Sequence, residues 1–417
     1  MSVIPHPSAR PFNRIPVTRP VFDLSEEEAV LEVLRSGWLV QGPKVAQFEG
    51  LFKEFVGASH AVATTSCTTA LHLALLAAGI GPGDEVLLPA FTFIATANAV
   101  EYTGARPVFI DIDLDTYTID PEKIREYLMH RAEAQTRPKC IIPVSLFGLC
   151  ADMEAVNKTA SEYGLIVVED AACGFGAKRR GHHAGTEALA GCFSFHPRKA
   201  ITTGEGGMVI TNDDRLADTI RKLRDHGASK TDRQRHLEQG GSLLPEYEVL
   251  GYNFRMTDLQ GALGATQMKK AEMILQGRKQ AAARYDELLG DFSEIKRPHV
   301  PHGFEHGFQS YVCLYKAASG RREGKTSIDW DEVSAANLRR NRLMTSLERM
   351  GASLRQGTHA LHTLGFYKRK YGLKNQNYPM AYLADRLSFT LPLYYGITED
   401  EQFEVIENLR RVMDQVA

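Results

Sequence analysis

Cysteine is scarce in this sequence, and its spacing argues against disulfide or metal crosslinks. The six cysteines are scattered through 417 residues and form no CxxC pair. They are Cys67, Cys140, Cys150, Cys173, Cys192 and Cys313. A disulfide scaffold or a structural zinc site needs clustered cysteines, so we expect neither, and a reducing cytoplasm fits this pattern best.

Long apolar segments are also missing. The N-terminal segment, MSVIPHPSARPFNRIPVTRP, is rich in proline and has no apolar core of signal-peptide length. No later segment approaches the roughly 20 apolar residues that a membrane-spanning helix needs. We therefore expect no membrane partner, and we predict that residues 1–24 form an extended arm.

Neither sign of charge is in excess. The chain carries 49 basic and 51 acidic residues, so no global field favours nucleic acid or an anionic membrane. It is 43% hydrophobic and 24% charged, as ordinary globular proteins are. Its length predicts roughly two domains. Small metabolites are therefore the expected partners.

The sequence does contain a regular alternation of short apolar runs and stretches of helical spacing. The predicted strands are Ala61–Thr64, Glu85–Pro89, Arg106–Ile112, Lys139–Phe147 and the run LIVVEDAA at 165–172. The predicted helices are Leu24–Ser36, Val45–Phe55, Ala70–Ala78, Phe91–Tyr102, Pro121–Arg131, Asp152–Tyr163, Asp213–Arg224, Asp258–Leu289, Val333–Met350 and Glu399–Met413. This alternation predicts an α/β fold with a largely parallel sheet covered by helices on both faces. Ligands bind such sheets at the carboxyl ends of the strands.

A polar bend with one lysine interrupts two apolar runs at Cys192–Thr211, which reads CFSFHPRKAITTGEGGMVIT. The pattern predicts strand, bend and strand, with Lys199 in the bend and Gly206 and Gly207 allowing the chain to return. Most loop lysines are only solvated. A lysine held near apolar walls instead has a lowered pKa and becomes a nucleophilic amine.

Two more polar groups are predicted at strand ends. The turn Thr65–Thr69 offers hydroxyls and free amides at a helix N-terminus, a site that can bind phosphate. A capped helix without a ligand explains the same residues. Asp170 ends an apolar strand, where a carboxylate is either catalytic or simply a cap or salt-bridge partner.

Two other kinds of site are excluded by spacing. Glycines 204, 206 and 207 do not follow GxGxxG and precede a predicted strand, so a nicotinamide site is not expected. The side chains of His182 and His183 are adjacent and would diverge in regular structure, so no metal site is expected there.

Six ordered motifs together resemble the DegT/DnrJ/EryC/StrS family of sugar aminotransferases, which are pyridoxal phosphate enzymes of the aspartate aminotransferase fold. They are GWLVQGPKVAQFE (37–49), TSCTTALHLAL (65–75), GPGDEVLLPAFTFIATANAV (81–100), EDAACGFGA (169–177), FSFHPRKAITTGEGG (193–207) and GYNFRMTDLQGALG (251–264). The resemblance implies a type I pyridoxal phosphate transferase fold, with a mostly parallel sheet and a smaller C-terminal α+β domain. The expected division is a large cofactor-binding domain at 25–265 and a small domain at 266–417.

The resemblance also implies roles for individual residues. Lys199 matches the family's Schiff-base lysine and proton shuttle, and Asp170 matches the aspartate that pairs with the pyridine nitrogen. The remaining cofactor contacts implied are Phe93 stacking on the ring, Ser66, Cys67, Thr68 and Ser194 at the phosphate, Cys173 beside the 3-hydroxyl, and Asn253 reaching the phosphate from a neighbouring subunit. Active sites shared in this way imply a homodimer.

The implied reaction moves an amino group from L-glutamate, through pyridoxamine phosphate, to a nucleotide-linked ketosugar. The loop HPRKAITTGEGG resembles relatives that aminate C4 of a 4-keto-6-deoxyhexose more than those acting at C3. Amination of a keto-inositol and a non-catalytic regulatory role remain alternatives, whereas a 3-dehydratase would carry His in place of Lys199. Two departures affect this assignment: Cys173 replaces the usual Gln or His, and RQGTHALH at 355–362 differs from the usual substrate segment.

Overall fold

The computed structural model describes residues 15–131, 138–230, 244–316 and 328–416. The first 14 residues of the predicted arm lie outside these ranges, as do parts of the polar stretch after His226 and of the insert AASGRREGKTSIDWDE. The described part of the arm contacts the C-terminal part of the chain. Ile15 is buried and donates its amide to Gly351 O at 3.0 Å, and Val17 O accepts from Leu393 N at 3.0 Å.

Strands and helices alternate through the first half of the chain, as the sequence predicts. The helices are α1 Leu24–Ser36, α2 Pro43–Val56, α3 Cys67–Ala77, α4 Ile94–Tyr102, α5 Pro121–His130, α6 Met153–Tyr163 and α7 Asp214–Arg224. The strands are β1 His60–Thr64, β2 Glu85–Pro89, β3 Phe91–Thr92, β4 Arg106–Ile110, β5 Pro138–Ile141, β6 Ile166–Asp170, β7 Lys178–Arg179, β8 His182–His183, β9 Ala190–Ser194 and β10 Gly207–Thr211.

Seven of these strands form the central sheet, in the order β1-β10-β9-β6-β5-β2-β4. Strand β10 is antiparallel to β1 and β9, and the other neighbouring pairs are parallel. Every residue of β2, EVLLP, is buried, as expected when helices cover both faces of a parallel sheet. The predicted α/β fold with a mostly parallel central sheet is confirmed.

The C-terminal half adds a smaller sheet and further helices. Its helices are α8 Asp258–Lys269, α9 Ala271–Leu288, α10 Trp330–Arg349, α11 Gly365–Tyr371, α12 Pro379–Leu387 and α13 Glu399–Val416. Its strands are β11 Ile295–Lys296, β12 Phe304–Glu305, β13 Tyr311–Tyr315, β14 His359–Ala360 and β15 Ser388–Leu391. Strands β11, β13 and β15 form a three-stranded antiparallel sheet. The predicted helical stretch 258–289 consists of two helices that meet at Lys270.

Two further predicted elements differ clearly from the observed ones. Phe91 and Thr92 were predicted to begin a helix, but they form β3. This strand pairs with β14, which lies far along the chain. The strand predicted at Lys139–Phe147 ends at Ile141, and further along the same segment Phe147 and Gly148 adopt left-handed φ values of 58° and 107°. Both departures place irregular backbone at the carboxyl edge of the sheet.

In the described ranges, no helix is both long and apolar enough to cross a membrane. All six cysteines are free thiols.

Candidate active site

The polar residues singled out in the sequence follow the carboxyl ends of three central strands. In the sheet register, Gly207 lies opposite both Thr64, the last residue of β1, and Ser194, the last residue of β9. Asp170 ends β6 and pairs with Cys192 of β9. The topology therefore brings the Thr65–Thr69 turn, Asp170 and the bend after Ser194 to one edge.

Lys199 lies in a tight turn at this edge, as predicted. Its amide donates to His196 O at 2.8 Å, and its side chain is half-buried. The Nζ atom lies 3.0 Å from Cys173 Sγ, within hydrogen-bonding distance. The amine is therefore directed back toward the end of β6 and not out into solvent.

Two threonines and a glycine fix the backbone that leads from the Lys199 bend back into the sheet. Thr202 Oγ1 donates to Phe195 O at 2.8 Å, and Thr203 N donates to the same oxygen at 3.0 Å. Gly207 then passes so close to the start of α3 that a Cβ atom there would lie 2.3 Å from the carbonyl carbon of Ser66. Only glycine allows the Lys199 bend to contact the N-terminus of this helix.

The N-terminus of α3 offers backbone donors. Ser66 is the N-cap, and it forms a capping box with Thr69 in which each side chain accepts the other's amide. Within the ranges that the structure describes, the amides of Cys67 and Thr68 have no hydrogen-bond partner. Free amides at the positive end of a helix dipole form a natural anion site.

Cys67 is a buried thiol at the first position of this helix. Burial raises its pKa well above the ordinary value, and the nearby Asp170 raises it further. The thiol is therefore neutral at physiological pH, and Cys67 can offer its backbone amide to an anion without adding a negative charge of its own.

Asp170 is a buried carboxyl with two hydrogen-bond donors. Thr96 Oγ1 donates to Oδ2 at 2.7 Å, and Ala172 N donates to Oδ1 at 3.1 Å. Burial raises the pKa of Asp170, while both hydrogen bonds and the charge of Lys199 oppose that rise. A carboxyl in this setting is stabilised most by a cation placed directly against it.

Phe93 projects from the same edge. It is the N-cap residue of α4, and its side chain is 57% exposed. Thr96, one turn later, donates its amide to Phe93 O at 3.2 Å. Helix α4 therefore presents an aromatic ring and also holds Asp170. Thr96 was not predicted as a site residue, because a threonine inside an apolar helix gives no local signal of its partner.

Cys173 and Asn253 occupy different surroundings. Cys173, three residues after β6, is half-buried beside Lys199. Asn253 is exposed on the surface, and its backbone forms a bridge with Asp225. The neighbouring Phe254 O accepts from Thr65 N at 3.1 Å, so this segment lies next to the Thr65–Thr69 turn. The structure groups Cys173 with Lys199 and leaves the Asn253 side chain outward.

His182 and His183 do not share a face of β8. His182 is exposed, whereas His183 is buried, and burial lowers its pKa to about 4. The described ranges contain no group of three His, Cys, Asp or Glu side chains that could hold a metal ion.

The arrangement fits pyridoxal phosphate. The free amides of α3 suit its phosphate, the buried Asp170 suits its protonated ring nitrogen, and Lys199 offers an amine to its aldehyde. Phe93 gives an exposed aromatic surface at the same edge. The fold is that of pyridoxal phosphate-dependent aminotransferases. The chain belongs to the DegT/DnrJ/EryC1/StrS aminotransferase family, whose model matches residues 21–410.

Two named relatives match nearly the whole chain. The spore coat polysaccharide biosynthesis protein SpsC of Bacillus subtilis is 38% identical over 399 residues, which covers 96% of this chain and 97% of SpsC. The GDP-perosamine synthase of Caulobacter vibrioides is 34% identical over 402 residues, covering 96% of this chain and 98% of the synthase.

A solved structure of a sugar aminotransferase is also similar to this chain. A putative sugar aminotransferase from Streptococcus pneumoniae, in its pyridoxamine phosphate form, superposes with a TM-score of 0.85 at 27% identity, covering 98% of this chain and 100% of that one. Its pyridoxal phosphate form superposes with a TM-score of 0.84. The protein is therefore a pyridoxal phosphate-dependent aminotransferase that acts on sugars.

Proposed function

We propose that this enzyme transfers the amino group of L-glutamate to C4 of a nucleotide-linked 4-keto-6-deoxyhexose. The observation that carries the amino-transfer part of the proposal is the position of Lys199, whose Nζ lies 3.0 Å from Cys173 Sγ near the strand end occupied by Asp170. An amine and a buried carboxyl at one sheet edge are the two groups that amino transfer requires of the protein.

Bound pyridoxal phosphate carries the amino group between donor and acceptor and withdraws electrons from the reacting carbon. Asp170 would keep the ring nitrogen protonated, because a buried carboxylate that accepts two hydrogen bonds is further stabilised by a positive charge on the ring. Lys199 moves a proton between the substrate carbon and C4′ of the cofactor.

The binding roles are those that the family resemblance implies. The amides of Cys67 and Thr68, with the hydroxyls of Ser66 and Ser194, would hold the phosphate. Phe93 would stack on the ring, and Cys173 would lie beside the 3-hydroxyl. A thiol is a weaker hydrogen-bond partner than the Gln or His of many relatives, so the Cys173 contact orients the ring less strongly.

The proposed sugar substrate is based on similarity to relatives of this chain. One relative is named for a GDP-linked product, perosamine, which supports a nucleotide-linked acceptor. The preference for C4 over C3 depends on the amino-acid sequence of the loop His196–Gly207. A C3 ketosugar and a keto-inositol remain the alternatives that a substrate panel must include.

A homodimer with shared active sites accounts for Asn253. Its exposed side chain is free to reach the phosphate of a neighbouring subunit. Large apolar side chains are exposed in two stretches, at residues 22–40 and 244–250, and Leu244 and Leu250 are 80% and 88% exposed. Apolar surface of this kind is typical of a protein interface.

The test is a panel of nucleotide-linked 3-ketosugars, nucleotide-linked 4-keto-6-deoxyhexoses and keto-inositols, each incubated with L-glutamate and the enzyme. We expect 2-oxoglutarate to form fastest with a 4-keto-6-deoxyhexose. A faster reaction with a 3-ketosugar or a keto-inositol would contradict the proposed acceptor, and the absence of 2-oxoglutarate with every acceptor would contradict glutamate as the amino donor.

A further inference from the structure

The side-chain amide of Gln309 bridges the two residues that flank Lys199. Its Nε2 donates to Arg198 O at 2.6 Å, and its Oε1 accepts from Ala200 N at 3.2 Å. Both ends of the amide are thus used, one on each side of the lysine. Gln309 lies 111 residues from Arg198 in the chain, so the turn is held from a distant segment as well as by its own hydrogen bond.

The backbone of Gln309 is in turn held by a buried cation. Arg278 is only 2% exposed, and it donates Nε to Phe308 O at 3.0 Å and Nη2 to Gln309 O at 2.6 Å. Burial lowers the pKa of Arg278 to about 10, so the side chain remains charged at neutral pH. Hydrogen bonds from a charged donor are stronger than neutral ones.

Close backbone contact with Gly148 also fixes the segment that contains Gln309. A Cβ atom on Gly148 would lie 2.6 Å from Gln309 N, and Gly307 N donates to Gly148 O at 2.7 Å. Phe308 adopts a left-handed φ of 46°, which is strained for an aromatic residue. Strain of this kind persists only where the surrounding structure imposes it, and it clusters at functional sites.

We infer that Gln309 is a positioning residue, which holds the backbone of Lys199 so that the amine is directed at the aldehyde carbon of the cofactor. The inference depends on the proposed function. In the attachment, the Lys199 nitrogen forms a double bond to that carbon, and the aldehyde oxygen leaves as water with the two amine protons. Gln309 acts through Lys199, and a small misplacement of a reacting group lowers its rate strongly.

The test separates cofactor attachment from cofactor binding. In unloaded enzyme, one measures the rate at which pyridoxal phosphate becomes fixed to Lys199 by borohydride. One also measures the Kd of pyridoxamine phosphate, which has no aldehyde and cannot attach. Gln309→Met removes both hydrogen bonds at similar side-chain length. We expect attachment to slow by about tenfold or more, with the Kd unchanged within about twofold.

Gln402 supplies a matched control. It is a buried glutamine whose amide also bridges two groups, since its Nε2 donates to Ala281 O at 2.8 Å and its Oε1 accepts from Arg284 Nη1 at 2.6 Å. It does not contact the Lys199 turn. Gln402→Met should leave both the attachment rate and the Kd as in the wild type.

The outcomes distinguish the inference from its alternatives. Attachment at the wild-type rate in Gln309→Met would overturn it, and so would an equal loss of pyridoxamine phosphate affinity, which indicates a merely structural role. If Gln309→Met does not fold, Gln309→Glu gives the same comparison. It keeps the acceptor for Ala200 N and loses the donor to Arg198, and slower attachment is again expected. Wild-type enzyme that takes up no pyridoxal phosphate would contradict the proposed function itself.

Discussion

At the scale of single residues, Thr96 supports Asp170 by the hydrogen bond that opposes the effect of burial. Thr96→Val keeps the shape and removes this bond, so the pKa of Asp170 should rise further and its carboxylate should protonate at higher pH. We expect the acidic limb of the kcat/KM profile to move upward in pH, with a loss of about tenfold on that limb, because hydrogen bonds to charged groups contribute about 1.5–3 kcal/mol.

Thr96→Ser provides the control for this prediction. It retains the hydroxyl and should keep a wild-type pH profile. If Thr96→Val and the wild type have superimposable profiles, the hydrogen bond does not set the ionisation of Asp170.

Glu169 is a second buried carboxyl, next to Asp170 in sequence but bonded elsewhere. It accepts from Ser145 Oγ at 2.5 Å and from Gly185 N at 2.8 Å, and burial raises its pKa from an ordinary 4.5 to about 7. When the pKa of a carboxyl is higher in the folded protein than in the unfolded chain, its full contribution to stability is present at pH values below the unfolded pKa. That contribution declines as the pH rises from about 4.5 to about 7, by about 3 kcal/mol in total.

Glu169→Gln removes the titration and can keep both hydrogen bonds. The melting temperature of the variant should therefore rise relative to that of the wild type between pH 5 and pH 8. A difference that stays constant over this range would show that Glu169 does not titrate in the folded protein near pH 7.

At the scale of elements, the contact between the Lys199 bend and α3 depends on Gly207. Gly207→Ala would place a Cβ atom 2.3 Å from the backbone of Ser66 and separate the two segments. We expect pyridoxamine phosphate affinity to fall by roughly tenfold or more, because a displacement of this size moves the proposed phosphate donors of α3 out of position. The affinity can be measured by isothermal titration.

Gly50, inside α2, is the control for Gly207. A Cβ atom there would have no neighbour within 4 Å. Gly50→Ala should leave cofactor affinity unchanged and stabilise the helix by about 0.5–1 kcal/mol. Equal affinity in the two variants would contradict the role given to Gly207.

The elements also show which features a sequence can predict. The apolar runs predict the central strands, and the rule that ligands bind at carboxyl ends places Lys199, Asp170 and the Thr65 turn together. The pairing of Phe91 with Ala360 and the bridge from Gln309 to the Lys199 turn join segments far apart in the chain. Local periodicity carries no information about such partners, so β3 was predicted as helix and Gln309 gave no signal.

At the scale of the whole molecule, the proposed shared active sites predict complementation between two defective variants. Lys199→Ala removes the amine, and Asn253→Ala removes the proposed phosphate contact to the neighbouring subunit. In a mixed dimer, one site would carry both changes, whereas the other would be wild type. Mixing the two inactive or weakened proteins should therefore restore about half of the wild-type activity per heterodimer.

The measurement is activity after co-refolding or co-expression, with each variant alone as the control. If Asn253 serves the site of its own chain, each site in the mixed dimer carries one change and no activity is regained. A monomer in sedimentation experiments would contradict the shared site directly.

The central claim is that Lys199 is the residue that carries pyridoxal phosphate. The most direct test is borohydride reduction of the purified, cofactor-loaded protein, followed by peptide mass spectrometry. We predict one cofactor adduct, on the peptide that contains Lys199, and none in Lys199→Ala, which should still bind pyridoxamine phosphate. An adduct on a different lysine, or a wild-type protein that takes up no cofactor, would contradict the account.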